Sequence, residues 1–363
     1  MRISRRFWRS TVIGATVAAS ALVPTVTMAT SATAATGGSV TAVFVATEWP
    51  NLDPALDSQA AADIDIMNAV YGQLFTETPS AGACGACEGA GQIKPDLAQG
   101  VTTSPNGKLV TIHLRPGMKF TDGTPFNAAA VAFNITRDLS PASTCLCKTN
   151  FADVTKVTTE GQLDVQLHLS QRYVPLIASF IGAGPNWIMS PTAFNKMGAA
   201  AFGQAPVGAG PFTVTRDAAN AELDMVKNPT YFQKGQPTID SLKILAVSSD
   251  NAALGALQAG TAQIVIGTNS PQDVAQAKKS FQVVVAPAIV ISTVEFNTKA
   301  APFNNLKARE AIAYATNPGP IIHALIPGLG VPVQAQVGPG SPYYEKKVPG
   351  TVTYNLAKAK ALV

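Results

Sequence analysis

The chain has 363 residues, of which 47% are hydrophobic and 13% charged, with 26 Lys and Arg against 22 Asp and Glu. A chain of this length easily buries a core and suggests more than one domain, which excludes fibrous and disordered classes. Four of the basic residues lie in the first ten positions, and without them the balance is even (26 − 4 = 22 basic, 22 acidic), so nucleic acid is not an expected partner.

Residues 1–34 have the pattern of an export signal. A basic start with four Arg is followed by the mildly apolar stretch Val12–Met28 and by small residues suited to cleavage after Ala34. The apolar stretch is too short and too polar to predict a membrane span. We expect secretion by the Sec or the twin-Arg route. No Cys lies near the cleavage site, so we expect no N-terminal lipid anchor.

Four cysteines fit an oxidising destination. Cys84 and Cys87 lie in one loop, and Cys145 and Cys147 lie in another. One interpretation is a four-thiolate zinc site. We favour two disulfides that join the loops, because Cys145 and Cys147 are too close in sequence to bridge each other without strain. Which of them pairs with Cys84 and which with Cys87 stays open.

Apolar alternation and helical spacing predict five elements in the first half of the chain. They are strands at Ser39–Ala46, Leu109–Arg115 and Leu163–Leu169, and helices at Ala60–Leu74 and Asn127–Leu139. Both later strands alternate apolar with polar side chains, which is typical of a sheet with one solvated face. Residues 57–179 are therefore predicted to form a small α+β unit.

The second half predicts strands and helices in closer succession. Strands are expected after Gly208–Phe212 and at Glu222–Lys227, Leu242–Val247, Ile264–Ile266, Val283–Val285 and Val290–Phe296, and helices at Asn251–Ala259, Leu306–Ala315 and from Asn355 onward. Ser249 or Asp250 can cap the first of these helices. A strand, a helix and a strand in immediate order indicate an α/β lobe.

No common catalytic motif is present, neither G-x-S-x-G, H-E-x-x-H, G-x-G-x-x-G nor a P-loop. His113 and His168 lie on the polar faces of two predicted strands, and His323 follows two isoleucines in a predicted helix. Solvated histidines are the favoured interpretation over a metal pair, since the pattern adds no Cys or carboxylate. We predict no catalytic residue, no metal and no cofactor.

The segment Leu114–Ala128, LRPGMKFTDGTPFNA, resembles a signature of the extracellular solute-binding proteins of ABC importers, family 5, the peptide- and nickel-binding type. Further resemblances run along the mature chain in the family's order. They include Leu52–Pro54, Tyr71–Leu74, Pro95–Ala98, Gly208–Phe212, Asn228–Phe232, Ala256–Gly260, Phe296–Thr298 and Ala308–Ala315.

The resemblance implies an α/β fold of the type II periplasmic-binding-protein kind, with two lobes and a small inserted α+β domain. Residues 35–56 and 180–289 would form lobe I, 57–179 the inserted domain, and 290–363 the start of lobe II. Family members continue well beyond the segment that matches the end of this chain. The second lobe is therefore expected to be incomplete.

By position, the resemblance also assigns cleft residues. The candidates are Asp57, Ser58, Gln59, Thr293, Glu295 and Asn297, with Glu48, Trp49 and Tyr71 as looser ones. Amides and carboxylates can hydrogen-bond a polar solute, and the aromatic rings can cover its apolar part. The implied function is a monomeric receptor that captures a small polar solute, most simply a peptide, and delivers it to an ABC permease in the membrane.

An alternative from another class is a secreted hydrolase or zinc-dependent protein that uses Cys84, Cys87, Cys145 and Cys147. The state of the sulfurs separates the two hypotheses. Thiolates bound to a metal would favour the alternative, and disulfides would favour the receptor.

Overall fold

The computed structural model describes residues 37–45, 49, 51–56, 61–78, 92–268, 270–285, 291–334, 338–339 and 344–363. Their strands form three sheets. The strands are β1 Ser39–Val45, β2 Phe75–Glu77, β3 Ile93–Pro95, β4 Ala98–Thr103, β5 Leu109–Leu114, β6 Val154–Glu160, β7 Asp164–Leu169, β8 Phe212–Ala218, β9 Glu222–Lys227, β10 Ser241–Val247 and β11 Ile264–Ile266.

The largest sheet has five strands in the order β11-β1-β10-β9-β8. Strand β1 lies between β11 and β10 and runs parallel to both, whereas β9 is antiparallel to β10 and β8 to β9. The consecutive residues Ala42, Val43 and Phe44 of β1 are all buried. Burial on both faces is what a short, continuously apolar strand predicts, so helices and loops cover both sides of this sheet.

A second sheet has four antiparallel strands in the order β4-β5-β7-β6. Val110, Ile112 and Leu114 of β5 are buried, and the residues between them are half-buried. Strand β7 repeats this pattern. The alternation predicted from the sequence is thus confirmed, and one face of the sheet packs on a core of its own. Strands β2 and β3 form a separate two-stranded ribbon.

The described helices include those predicted at Ala60–Leu74, Asn127–Leu139, Asn251–Ala259, Leu306–Ala315 and from Asn355 onward. They are α1 Ala61–Tyr71, α2 Ala128–Leu139, α3 Pro191–Met197, α4 Ala199–Phe202, α5 Asp250–Gln258, α6 Pro271–Ala277, α7 Leu306–Ala315, α8 Pro318–Leu325 and α9 Leu356–Ala361. Asn127, Ser249 and Asn355 each accept a hydrogen bond from the backbone N–H three residues later, so each satisfies a first-turn donor of its helix.

The signature segment forms a tight turn between β5 and α2. Gly123 has φ 83°, and the Asp122 carboxylate accepts a hydrogen bond from the Thr124 N–H at 2.9 Å. The Ser190 hydroxyl, just before α3, donates to the other Asp122 oxygen at 2.6 Å. The Thr121 N–H also donates to the Gly208 carbonyl at 2.9 Å. The turn therefore anchors the four-stranded sheet to the segments that lead into the five-stranded one.

The predicted strands at Val283–Val285 and Val290–Phe296 are wrong in the part of the chain that the structure describes. Residues 282–285 and 291–297 carry no strand or helix assignment. A β-branched run becomes a strand only where a neighbour pairs with its backbone. None of the described residues pairs with these two segments.

The predicted cross-loop disulfides are also corrected. Cys145 and Cys147 are bonded to each other, and their Cα atoms are 5.2 Å apart. The short 3-10 segment Leu146–Phe151 follows Cys145 directly and brings both residues within the separation that a disulfide spans. The prediction considered only that a single residue separates the two cysteines in the sequence. On that ground the chain between them was taken to be too short for an unstrained disulfide. Cys84 and Cys87 lie outside the described residues.

Candidate functional site

The candidate site lies at the carboxyl edge of the parallel strands. Val45 of β1 pairs with Val247 of β10, and Phe44 pairs with Ile266 of β11, so the three strands end at one edge. In open α/β sheets, ligands bind outside the carboxyl ends of the strands, where the connecting loops diverge. The loops that leave this edge therefore hold the first candidates for solute contacts.

Trp49, which follows β1 at this edge, is fixed by the turn between β8 and β9. Its N–H donates to the Asn220 side-chain oxygen at 2.6 Å, and its indole N–H donates to Asp217 at 3.1 Å. Its exposed fraction is 1%. Burial raises the pKa of Asp217, and the indole hydrogen bond lowers it in part. Trp49 therefore serves as a buried anchor for the loop after β1 and offers no open ring face.

Tyr71 ends helix α1 inside the core. Its hydroxyl donates to the Leu52 carbonyl at 2.6 Å, and its side chain is fully buried. Burial, followed by the negative charge of Asp53, raises the pKa of Tyr71 well above its ordinary value. The phenol thus ties the segment after β1 to α1, and in this structure it does not face solvent.

Thr293, Glu295 and Asn297 are exposed, in contrast to the two aromatic candidates. Val294 between them is 79% exposed. The Asn297 side-chain oxygen accepts a hydrogen bond from the Lys299 N–H at 3.1 Å. The three side chains at alternate positions offer a hydroxyl, a carboxylate and an amide, which suits a polar solute. No hydrogen bond between described residues joins this segment to Trp49 or Tyr71.

Glu48, Asp57, Ser58 and Gln59 lie outside the described residues. The neighbouring segment Asn51–Leu56 is described and is firmly held. The Leu52 N–H donates to the Gly203 carbonyl at 2.8 Å, and the Asp53 N–H donates to the Asn51 side chain at 2.8 Å.

A cavity of ≈ 110 Å³ adjoins the carboxyl edge at β11. Its walls combine apolar side chains with Asp250, Thr268, Asp273 and Gln282. Typical small-molecule sites measure about 300–1,000 Å³. This cavity therefore does not enclose a peptide-sized solute, and a cleft with a second wall is needed for one.

Asp250 and Thr268 are edge residues that sequence reasoning missed as candidates. The Thr268 hydroxyl donates to the Asp250 carboxylate and so joins the start of α5 to the segment after β11. The sequence indicated Asp250 only as a helix cap. Its position three residues after the carboxyl end of the apolar strand Leu242–Val247 was the signal that could have found it.

The zinc alternative loses two of its four ligands in this structure. The sulfurs of Cys145 and Cys147 are bonded to each other, so neither is a thiolate. Within the described ranges, no group of three or more His, Cys, Asp or Glu is placed to hold a metal ion.

The two strand histidines are also apart. The register pairs His113 with Asp164 and His168 with Leu109, which separates the histidines by four positions along the paired strands. At about 3.4 Å per residue this is roughly 14 Å. His113 Nδ1 hydrogen-bonds Asp164 at 2.7 Å, and His168 Nε2 hydrogen-bonds Thr158 at 2.8 Å. Each histidine therefore belongs to its own surface pair.

Comparison with known families settles the class of the protein. The model of the bacterial extracellular solute-binding proteins, family 5 Middle, matches residues 92–363. The chain belongs to this family. It is also 31% identical over 273 residues to the glutathione-binding protein GsiB of Salmonella typhi, a match that covers 75% of this chain and 52% of GsiB. The chain thus spans about half the length of the curated relatives it matches.

Solved structures with the same fold include the periplasmic binding protein AgaA from A. tumefaciens R10 in complex with agropinic acid. It is 26% identical, with a TM-score of 0.74 over 90% of this chain and 63% of AgaA. The protein DppA from Helicobacter pylori in complex with the peptide STSA is 22% identical, with a TM-score of 0.73 over 90% of this chain and 65% of DppA. The predicted α/β fold of the type II periplasmic-binding-protein kind is confirmed.

The family assignment carries two consequences. Family 5 proteins are extracellular binding proteins, so the assignment supports a location outside the cytoplasm and gives no support to a hydrolase. None of the described helices is both long enough and apolar enough to cross a bilayer.

Proposed function

We propose that this protein is the solute receptor of an ABC importer: it captures a small polar solute, most simply a peptide, between two lobes and delivers it to a membrane permease. The family match over residues 92–363 is the observation that carries this proposal. Closure over a solute requires only that the closed state makes more contacts with it than the open state.

Each of the two larger sheets lies entirely within one of the proposed domains. All strands of the five-stranded sheet come from residues 39–45 and 212–266, which fall in the proposed lobe I (35–56 and 180–289). All strands of the four-stranded sheet come from residues 98–169, which fall in the proposed inserted domain (57–179). Residues 290–363 would begin lobe II. This division supports a hinge near residue 290, where the chain leaves the five-stranded sheet.

The proposed solute contacts are Asp57, Ser58 and Gln59 from the first lobe and Thr293, Glu295 and Asn297 from the second, with Glu48 as a further one. The exposure of Thr293, Glu295 and Asn297 supports this role. The burial of Trp49 and Tyr71 instead supports a role in holding the loop after β1. The ligands named for these relatives are glutathione, agropinic acid and a peptide, all polar solutes with charged groups.

The proposed location is the space beyond the cytoplasmic membrane, without an N-terminal lipid anchor. Residues 1–34 support export, and the first Cys of the sequence is Cys84, far from the expected cleavage point. Mass spectrometry of the protein exported by a bacterial host tests both points. A mature N-terminus near residue 35 without an added lipid is expected, and a lipid-modified N-terminus would contradict the proposal.

Isothermal titration with a panel of glutathione, short peptides and nickel–histidine tests the receptor function. We expect saturable binding of one solute class, weakened at least tenfold by Glu295→Gln, since the variant removes a charge but keeps the shape. Glu310→Gln, in helix α7 outside the proposed cleft, is the matched control and should bind like the parent. Equal affinity of all three proteins would remove Glu295 from the site, and no binding across the panel would count against the receptor.

A further inference from the structure

Three charged side chains form what we call the acidic joint: Asp53, Arg137 and Asp138. Asp53 follows β1, and the other two end helix α2. The joint thus connects helix α2, which packs on the four-stranded sheet, with the segment that follows strand β1 of the five-stranded sheet. Both carboxylates are buried, with exposed fractions of 0% for Asp53 and 1% for Asp138.

The guanidinium of Arg137 forms its carboxylate hydrogen bonds with Asp53 and not with Asp138. It donates to both Asp53 oxygens, one of them at 2.8 Å, and it also lies over the Phe194 ring at 4.5 Å. Asp53 gains a further hydrogen bond from the Ala55 N–H at 3.0 Å. The nearest approach of Arg137 to Asp138 is 3.6 Å, beyond hydrogen-bond distance.

Among the residues that the structure describes, Asp138 has no hydrogen-bond partner on either oxygen. Its surroundings leave little space, because a Cβ built on Gly184 would meet Asp138 Oδ2 at 3.1 Å and Cys145 Sγ at 3.2 Å. In the described part of the chain, Arg137 is the one cation within ion-pair distance of Asp138. One cation therefore faces two buried carboxylates and neutralises only Asp53.

The other groups that the structure describes around the joint place no second cation within ion-pair distance of Asp138. Helix α1 contributes Tyr71, and the turn Gly184–Asn186 has no titratable side chain. The Cys145–Cys147 disulfide does not titrate. Lys148 donates to the carbonyls of Pro141 and Ser143.

We propose that Asp138 is a protonated latch, and that its ionisation in mildly alkaline solution loosens the joint between helix α2 and the segment Asp53–Leu56. A buried carboxylate without a partner is far costlier than a buried carboxylic acid. Burial raises the pKa of Asp138 to about 8, and the charge of Arg137 opposes that rise only in part. Asp138 is thus protonated at neutral pH and ionises one to two pH units higher, where the joint loosens.

The sign of the effect on stability follows from this. In the unfolded chain Asp138 titrates near pH 4, and in the folded protein near pH 8. Between these values the folded state holds one more proton than the unfolded state, so folding becomes less favourable as the pH rises. In this range the folding equilibrium constant falls about tenfold for each pH unit, and the dependence ends above pH 8.

Urea unfolding of the full chain between pH 5 and 9.5 tests the latch. The parent should lose stability up to about pH 8, whereas Asp138→Leu should lack this part of the slope and should be the more stable protein at pH 9. Asp153→Asn is the control because Asp153 is an exposed carboxylate paired with Ser170, and its profile should follow the parent. Parallel profiles of the parent and Asp138→Leu would overturn the proposal.

Infrared difference spectroscopy between the parent and Asp138→Asn keeps the test open if the Leu variant fails to fold. A protonated carboxyl band that belongs to Asp138 should be present at pH 6.5 and should disappear with a midpoint near pH 8. A carboxylate band already complete at pH 6.5 would refute the latch.

Discussion

Asn186 shows how a single polar residue organises this core. Its side-chain oxygen accepts from the Phe75 N–H and its amide donates to the Phe75 carbonyl, both at 2.9 Å. Its own carbonyl accepts from the Leu74 N–H at 2.9 Å. The fully buried side chain therefore pairs with the backbone of Phe75 as a neighbouring strand would.

Asn186→Ala should be strongly destabilising, because it leaves both backbone groups of Phe75 buried and unpaired. We expect a loss of about 2–4 kcal/mol in the free energy of unfolding. Asn304→Ala, at an exposed position, should change it by less than about 0.5 kcal/mol. Urea unfolding of the two variants measures both. Similar values for the two would show that the Asn186 contacts add no net stability.

Buried polar residues are the feature that the sequence predicts least well. Nothing in the pattern around Asn186 or Asp138 distinguishes a buried polar residue from a solvated one, since both lie in mixed segments. Phe75, the partner of Asn186, is 111 positions away, and Asp53, whose charge acts on Asp138, is 85 positions away (138 − 53 = 85). Such pairings depend on tertiary packing. The Leu114–Ala128 signature fared better because its turn is made mostly of local hydrogen bonds.

Helix α1 packs unusually close to the strand entrance at Gly208–Phe212. A Cβ at Gly208 would meet the Val70 carbonyl at 2.3 Å and the Tyr71 Cα at 2.7 Å. These are backbone atoms and cannot turn aside. The sequence predicted only that this segment introduces a strand, and the structure shows that its glycine at position 208 also allows close contact between two elements.

Gly208→Ala should therefore destabilise the fold by about 3 kcal/mol or more, as severe overpacking does. Gly255→Ala is the matched substitution: Gly255 lies within helix α5 with nothing within 4 Å of its Cβ position. It should stabilise by about 0.5–1 kcal/mol, because Ala is the better helix former. Thermal unfolding should show a lower unfolding temperature for Gly208→Ala and a higher one for Gly255→Ala. Equal changes in the two variants would contradict the close packing at Gly208.

The disulfide is a second test at the level of elements. Alkylation without reduction should leave Cys145 and Cys147 unlabelled, and mass spectrometry of the proteolytic fragments should find both in one peptide, two hydrogens lighter than the dithiol. A fragment that links either residue to Cys84 or Cys87 would restore the cross-loop arrangement first predicted. Release of zinc on denaturation would instead revive the metal alternative.

Elements with strong periodicity were predicted well, and those that depend on distant partners were not. Strands β5 and β7 and helix α2 fall within one or two residues of the prediction. The short strands β2 and β3 were missed because three residues carry too little pattern. Val290–Phe296 has strand composition, yet among the described residues it has no pairing partner.

For the whole molecule, the fold followed from the sequence but the solute did not. The signature segments place the chain in family 5, and the comparisons confirm the fold. Relatives of the same fold bind glutathione, agropinic acid or a peptide according to their names. A shared scaffold leaves the chemistry of the site to a few side chains. The chain also spans about half the length of its curated relatives.

We propose that this protein binds a polar solute and leaves it unchanged. Native mass spectrometry after incubation with the best solute from the titration panel, followed by release and chemical analysis of that solute, tests it most directly. We expect a one-to-one complex from which the solute is recovered intact, together with a higher unfolding temperature at saturation. Recovery of a cleaved or modified product from the pure protein would contradict it.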